Sequence, residues 1–412
     1  MKVAVVGLWH LGSVTAACLA AAGHEVVGLD SDERTIQGLQ AGQPPVSEPG
    51  LSDLLKTGRP RFTTHIAEAV HGAQIVWITY DTPVDDDDRA DVDFVVERVT
   101  QLFPHLSDGA MVLVSSQLPV GSIRRLEAAC RNRTVSFACS PENLRLGKAI
   151  EVFTKPDRVI VGVRREADRA RIAELLRPFT DHIEWMSVES AEMTKHALNA
   201  FLATSVAFIN EIATLCEQVG ADAKEVERGL KSEARIGPKA YLSPGGAFAG
   251  GTLARDIQFL THLGPTVPLL AAVKTSNDAH RQWTRRTLQR LLGSLEGRTV
   301  AVWGLTYKPG TDTLRRSSAV ELCQWLAQQG ARVQAHDPAV KTLPAELAKI
   351  IQLCPGPADA VKGASALVLA TPWPDYLAVE VSAPIVLDPG RFLEKSIGKN
   401  PSIRYAAIGK AA

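Results

Sequence analysis

Short apolar runs alternate with amphipathic stretches over the first ~180 residues. The runs are KVAVVG, HEVVGLD, QIVWIT, MVLVSS, VSFACS and RVIVGV. Runs this short and this apolar suit strands covered on both faces, and strands that alternate with helices close into a parallel sheet between helical layers. From Glu189 to Gly220 the period becomes helical, with Leu198, Phe201, Leu202, Ile209, Ile212, Leu215 and Cys216 along one face. An unbroken helix of that length bridges domains rather than lying on a surface. Helical text continues to about Gly293, interrupted by the loop SPGGAFAGGTLARD (243–256). The strand pattern then returns: RTVAVWGLTYKPGTD, ARVQAHDP and ALVLATPW echo KVAVVGLWHLG, HEVVGLD and IVWITYDTP. The pattern predicts an α/β fold, with two Rossmann-like doubly wound parallel-sheet domains joined by a helical middle domain that holds one long helix. The expected boundaries are 1–188, 189–295 and 296–412.

Composition narrows the function more than the fold. The 412 residues exceed what one core holds. Lys and Arg together number 45 and so do Asp and Glu, a balance that argues against a nucleic-acid partner or an anionic membrane surface. Cys18, Cys130, Cys139, Cys216, Cys323 and Cys354 are scattered, with no CxxC pair and no zinc-ligand spacing. They read as reduced, mostly buried thiols of a cytoplasmic protein. No metal site is expected, since the DDDD run at 85–88 reads as a solvated loop tip whose adjacent carboxylates repel. The apolar N-terminus imitates a signal peptide, but His10, Ser13 and Thr15 interrupt it and HEVVGLDSD follows at once, so it parses as strand, turn, helix and strand. No segment is read as the ~20 apolar residues of a membrane span.

Two constellations carry chemistry. Gly7-Leu8-Trp9-His10-Leu11-Gly12 follows the first strand in the frame of the dinucleotide fingerprint GxGxxG, with Trp9 at the second glycine position. Asp30 closes the next strand, where an acid binds the adenine ribose and repels a 2′-phosphate, which favours NAD over NADP. On the long helix, Lys195 and Asn199 stand at i and i+4 and share a face. A lysine near an apolar junction can serve as a base, and an asparagine can hydrogen-bond a substrate oxygen.

GLWHLG, EPGL (48–51), DTPVD, SSQLPVGS, SPENLRLGKA, KPDRVIVG, AEMTKHALNAF, FINEIATLCE, GAFAGGTLARD, GLTYKPGTDTLRRSS and HDP follow one another in this chain. With them it resembles the UDP-glucose/GDP-mannose dehydrogenases along nearly its whole length. The resemblance implies an NAD-dependent oxidoreductase acting on a nucleotide-linked sugar. In that family a sugar CH2OH is usually taken to a carboxylate by two hydride transfers, through a thiohemiacetal and a thioester on a cysteine of the glycine-rich loop. Carried onto this chain, the resemblance gives Lys195, Asn199 and Asp256 to the reacting oxygen and Glu142 to water and proton handling. It places the cofactor at Gly7, Trp9, His10, Leu11, Gly12, Asp30, Thr82 and Pro83, and the substrate at Gln117, Leu144, Arg235, Phe248, Gly250, Gly251, Lys308 and Arg315. Arg235 matches an arginine that can come from the neighbouring subunit, and the long helix implies a homodimer through the central helices.

The chain departs from that family at several reacting positions. The loop cysteine falls on Thr252, a second glutamate on Leu146, the threonine of the STVP pattern on Gln117 and the loop lysine on Arg255. Covalent oxidation of an aldehyde needs a nucleophile that is substantially anionic near neutral pH, which a thiol supplies and an unactivated threonine hydroxyl does not. The retained groups suit a single two-electron step from alcohol to carbonyl, with Thr252 as a pocket wall. Three readings stand open: that single oxidation, an inactive relative that keeps nucleotide-sugar binding, and four-electron chemistry with another nucleophile.

Overall fold

The computed structural model describes residues 1–85, 90–132, 134–141, 144–248, 252–264, 266–315 and 317–411. They fall into two compact units, 1–198 and 199–412.

The first unit opens with β1 (Lys2–Val6), α1 (His10–Ala21), β2 (Glu25–Leu29), α2 (Glu33–Gln40), α3 (Leu51–Gly58), β3 (Arg61–Thr63), α4 (Ile66–Val70) and β4 (Ile75–Ile78). It continues through α5 (Val92–Thr100), β5 (Met111–Val114), α6 (Ser122–Ala129), β6 (Ser136–Cys139), α7 (Ala149–Thr154), β7 (Val159–Val163), α8 (Ala167–Leu176) and β8 (Ile183–Met186) to α9 (Val188–Val219). The strands order as β3-β2-β1-β4-β5-β6-β7-β8. Val3 to Val6 and Ile75, Val76 and Ile78 have no exposed surface, as expected of strands covered on both faces. Two strands of this sheet are absent from the sequence reading. β3 (RFT) and β8 (IEWM) are three and four residues long and each carries a charge, too little text to show a period. The sheet also departs from all-parallel, because β7 pairs antiparallel with β6. The chain returns to the sheet edge through the short helix α7 and runs back alongside β6.

Helix α9 runs for 32 residues, one residue ahead of the expected bounds. Val188 and Ala191 join the core of the first unit. Two polar side chains fasten it there. Glu192 accepts the amides of Gly121 (2.8 Å) and Ile123 (3.0 Å), capping α6, whose own N-cap is a glycine. His196 Nε2 donates to the Leu118 carbonyl at 2.9 Å. In the second unit Ala200, Ala203 and Ala207 pack with Ile257, Leu260 and Val273. The single apolar face expected of this helix divides. Ile209 and Cys216 are buried, whereas Phe201 is 69% and Leu215 53% exposed, because small residues carry much of the close packing and the large ones stand on the adjacent arc. By length and mean hydropathy α9 is also the one helix among the described residues that could cross a bilayer. The sequence reading passed over it because its polar residues, spaced along the helix, break the apolar text that a hydropathy average smooths over.

The second unit adds α10 (Ala223–Ser232), α11 (Thr252–Leu263), α12 (Pro268–Arg281), α13 (Trp283–Leu292), β9 (Thr299–Trp303), α14 (Ser318–Gln328) and β10 (Arg332–His336). It ends with α15 (Ala345–Ala348), β11 (Ile351–Leu353), α16 (Pro357–Val361), β12 (Ala366–Leu369), β13 (Ile385–Leu387), α17 (Glu394–Ile397) and β14 (Arg404–Ala406). Its sheet, β11-β10-β9-β12-β13-β14, is parallel throughout. Ala213, Cys216, Ala223, Trp283 and Leu288 share one apolar cluster with Val300 and Val302 of β9, so helices and sheet are built on a common core.

The end of the chain is pinned by a buried cation. Arg391 donates to Asp222 Oδ1 (2.5 Å) and to the carbonyls of Ile408 (3.1 Å) and Gly409 (2.8 Å). Burial opposes the charge on Asp222, but Arg391 and the Lys224 amide outweigh it and hold the carboxyl below its ordinary range. A depressed carboxyl contributes stability that is present above its unfolded pKa and lost as pH falls through its folded one. Arg391→Met is expected to cost about 2 kcal/mol near neutral pH, less than a fully buried pair, since the Asp222 side chain is 32% exposed. Urea unfolding at neutral pH and below pH ~4 checks this, with the variant losing less stability than the native protein on acidification.

Candidate active site

The strand order of the first sheet reverses between β1 and β4, which opens a crevice at their carboxyl ends. Gly7 makes the turn out of β1 at φ +93°, and a Cβ there would lie 2.6 Å from Tyr80 Cδ1. A Cβ on Gly12 would sit 1.9 Å from the Gly7 carbonyl oxygen. Neither position admits a side chain. Trp9 takes φ −73°, an ordinary value, so the turn accepts a residue other than glycine there, and the residue is 52% exposed. Leu11 is buried on α1. The first turn of α1 has no side-chain cap and no acidic residue, leaving amides and the positive helix end for an anion. Asp30, directly after β2, accepts the Leu8 amide at 2.7 Å through Oδ2 and the Asp32 amide at 3.1 Å through Oδ1. His10 pairs with Glu48 at 2.9 Å. Burial works against the Glu48 charge, yet the Gly147 and Ala149 amides (both 2.8 Å) and His10 hold its carboxyl below the usual range. EPGL carried the signal for Glu48, but sequence reading gave that residue no role.

The second sheet repeats the turn and closes it. Gly304 has φ +87°, and a Cβ would meet Thr371 at 2.4 Å. Asp337 after β10 accepts the Leu305 amide at 2.7 Å, as Asp30 accepts that of Leu8. The same oxygen also takes the Thr306 amide and hydroxyl (3.0 Å each) and the Trp373 indole N–H (3.2 Å), and Asp337 is 3% exposed. Ser317 caps α14 with its own hydroxyl. Of the two turns, the first leaves its carboxylate and helix end available to a dinucleotide, and its residues fit NAD.

Lys195 lines a small pocket in the first unit, together with Ser116, Gln117, Leu118, Cys139, Glu192 and His196. Thr82 donates to the Gln117 carbonyl at 2.7 Å, joining the loops after β4 and β5, while Pro83 beside it is exposed. Burial lifts the Glu192 carboxyl above its usual range against the two amide bonds that favour its charge. Burial, with Glu192 nearby, drives the Cys139 thiol far above its ordinary value.

In the second unit Asn199 Nδ2 donates to Asp256 Oδ2, and the two residues are 4% and 0% exposed. Thr252 opens α11 and is exposed; Arg255, one residue before Asp256, is 9% exposed. Phe248 is held through its backbone by Asn277 and packs on the Ala200 cluster. Lys308 is half-buried and Arg315 exposed, both on the segment between β9 and α14. Arg235 is exposed and pairs with Glu233 at 3.0 Å. Leu144 packs on the core of the first sheet, and Leu146 is 41% exposed. Glu142, Gly250 and Gly251 lie outside the described residues. Sequence reading gave no role to Glu192, His196, Asn210, Asn277, His280 and Asp337. Polar residues inside apolar helical text, as in FINEI, were the available signal.

Paired Rossmann-type sheets, one open to a dinucleotide, with a long helix carrying Lys195 and Asn199, fit an NAD-dependent dehydrogenase. Residues 1–180, 189–279 and 301–395 match, in turn, the NAD binding, central and UDP binding domains of one family. The chain belongs to the UDP-glucose/GDP-mannose dehydrogenase family. It is 35% identical to a UDP-glucose 6-dehydrogenase of Pseudomonas aeruginosa, over 94% of this chain and 93% of that one. A UDP-glucose dehydrogenase structure from Pyrobaculum islandicum superposes with TM-score 0.89 at 30% identity, over 100% and 98% of the two chains. A UDP-D-ManNAc dehydrogenase from Pyrococcus horikoshii gives 0.84 at 25%, over 100% and 99%.

The contrast between the two turns is testable. Asp30→Ala is expected to weaken NAD binding about tenfold, the loss of one or two charge-assisted hydrogen bonds. Asp337→Ala should leave NAD affinity within about twofold and lower the unfolding midpoint, because it strands buried donors. Calorimetric titration with NAD and thermal unfolding of both variants check this.

Proposed function

We propose that the protein oxidises one hydroxyl of a nucleotide-linked sugar in a single two-electron step. The observation that carries the reading is the position of the thiols. All six cysteines are buried, and burial pushes Cys18 and Cys323 up to about 12 and raises Cys139, Cys216 and Cys354. Thr252, where the family cysteine falls, is an exposed alcohol with none of the acidity of a thiol.

Residues 1–188 are read as the cofactor domain, 189–295 as the helical centre and 296–412 as the nucleotide end of the substrate site. The first-turn amides of α1 take the pyrophosphate and Asp30 the adenine ribose. NAD, when bound, accepts the hydride from the reacting carbon. Lys195 and Asn199, one helical turn apart, hydrogen-bond the reacting oxygen. Asp256 has no exposed surface, so it acts through Asn199, whose amide it holds by accepting one N–H. As the C–H bond breaks toward the cofactor, the hydroxyl proton leaves through Lys195 and a carbonyl forms. Glu142 assists proton movement. Gln117, Leu144, Phe248, Gly250, Gly251 and Thr252 line the sugar pocket, while Lys308, Arg315 and the partner-facing Arg235 meet the diphosphate or the sugar. UDP-glucose and UDP-N-acetylmannosamine are the first substrates to test, given the family's UDP binding domain and the named relatives.

The reading extends to assembly as a homodimer through the central helices. Phe201, Phe208 and Leu215 recur every seven residues along α9, and Val219 follows four residues later. Phe201, Phe208, Leu215 and Val219 are 69%, 47%, 53% and 77% exposed. A seam with this spacing is the pattern by which one helix packs against another, and a twofold axis pairs it with its own copy.

Two outcomes are expected. With an accepted UDP-sugar, one NADH forms per sugar consumed and the product is a carbonyl compound; Lys195→Ala lowers kcat by roughly 10²–10⁴, and Thr252→Ala keeps kcat within about threefold, since no covalent step runs through it. Two NADH and a uronic acid per sugar would refute the single oxidation. In sedimentation, Phe201→Glu combined with Phe208→Glu converts a dimer to a monomer, and a native protein already monomeric at micromolar concentration would remove the dimer.

A further inference from the structure

The glycine-rich loop has almost no regular backbone pairing of its own between Ser243 and Phe248. Three side chains hold its backbone instead, while the Ser243 hydroxyl meets Lys224 and Glu227. Asn210 on α9 accepts the Gly245 amide at 3.0 Å and reaches the Gly246 carbonyl at 3.5 Å. His280 on α12 donates from Nε2 to the Gly245 carbonyl at 2.9 Å. Asn277, one turn earlier on α12, grips Phe248 from both sides: its Oδ1 accepts the amide and its Nδ2 donates to the carbonyl, each at 2.9 Å. The three side chains are 1%, 8% and 2% exposed.

Burying three polar side chains costs free energy unless each is satisfied, and these are satisfied by loop backbone. Glycine supplies a loop that can bend closely around a ligand but pays for that freedom in order. The side chains restore the order at two points, at the entry to the loop and at Phe248, four residues before Thr252. Burial lowers the His280 pKa, so the ring stays neutral and its Nε2 hydrogen is committed to Gly245.

We infer that Asn210, Asn277 and His280 are positioning residues that hold the loop in its sugar-binding conformation, setting substrate affinity without touching the substrate. The inference rests on the reading that this loop wraps the sugar. Three variants test it. Asn277→Asp keeps the shape and one acceptor but removes the donor and sets a carboxylate against the Phe248 carbonyl. His280→Ala removes the donor to Gly245, and His280→Gln replaces it with an amide N–H.

Hydrogen exchange across residues 243–248 reads the loop, and calorimetric Kd values for UDP-glucose and for NAD read the sites. In Asn277→Asp and His280→Ala, exchange should quicken at least tenfold and the UDP-glucose Kd rise about tenfold, with the NAD Kd within about twofold. His280→Gln should return both readouts to within about threefold of native. Unchanged exchange in both damaging variants would overturn the anchoring. Quickened exchange with an unchanged UDP-glucose Kd would instead separate the loop from the sugar and overturn the positioning role. A rise in the NAD Kd equal to that for UDP-glucose would reduce Asn277 and His280 to general structural support. If the native protein binds no UDP-glucose, that choice of substrate falls while exchange still decides the anchoring.

Discussion

An aspartate that closes one strand and accepts the amide just beyond its neighbour is the constraint on which both sheets turn. Asp30 does this for Leu8 and Asp337 for Leu305, each at 2.7 Å. The bond fixes the glycine turn, the turn sets where the following segment begins, and that segment decides whether the crevice is open. In the first unit a helix starts three residues after Gly7, uncapped and free of acid in its first turn. In the second, a longer segment intervenes and a serine caps the helix that follows. One interaction therefore yields a dinucleotide site in one sheet and a sealed turn in the other. The difference comes from Thr306, Trp373 and Ser317.

Helix α9 meets a harder requirement, since the same 32 residues serve the cores of both units. Alanines and Cys216 give it a low profile where it packs, and buried polar side chains fix its register. Glu192 and His196 tie it to the loop after β5, while Asn199 and Asn210 bind Asp256 and the glycine loop. Lys195 is thus carried by a backbone held at Glu192 and His196 on either side of it. Positioning of this kind is what the proton-transferring role proposed for Lys195 needs, because its reach is a hydrogen bond.

Much of the fold was legible because buried strands and long helices write strong periods. The six apolar runs became β1, β2, β4, β5, β6 and β7. β3, β8, β11, β13 and β14 were lost to brevity, and the antiparallel pairing of β7 with β6 leaves no mark in a periodicity. At the site, the glycines at 7, 12 and 304 were readable because local sterics demand them. Asn277 and His280 were not, since their partners lie about 30 residues away and nothing in a helical stretch says which polar residue faces inward. The opposite fates of Asp30 and Asp337 were equally hidden: the two residues end similar strands, and only the later loops distinguish them.

The placement of the six thiols turns the molecule into its own opening gauge. Cys18, Cys130 and Cys139 lie in the first unit and Cys216, Cys323 and Cys354 in the second, all inside. An alkylating reagent meets no sulfur on the closed surface, so modification of each cysteine proceeds at the pace of the excursion that uncovers it. Site-resolved labelling of the unmodified chain therefore clocks the breathing of each unit separately, without any engineered probe.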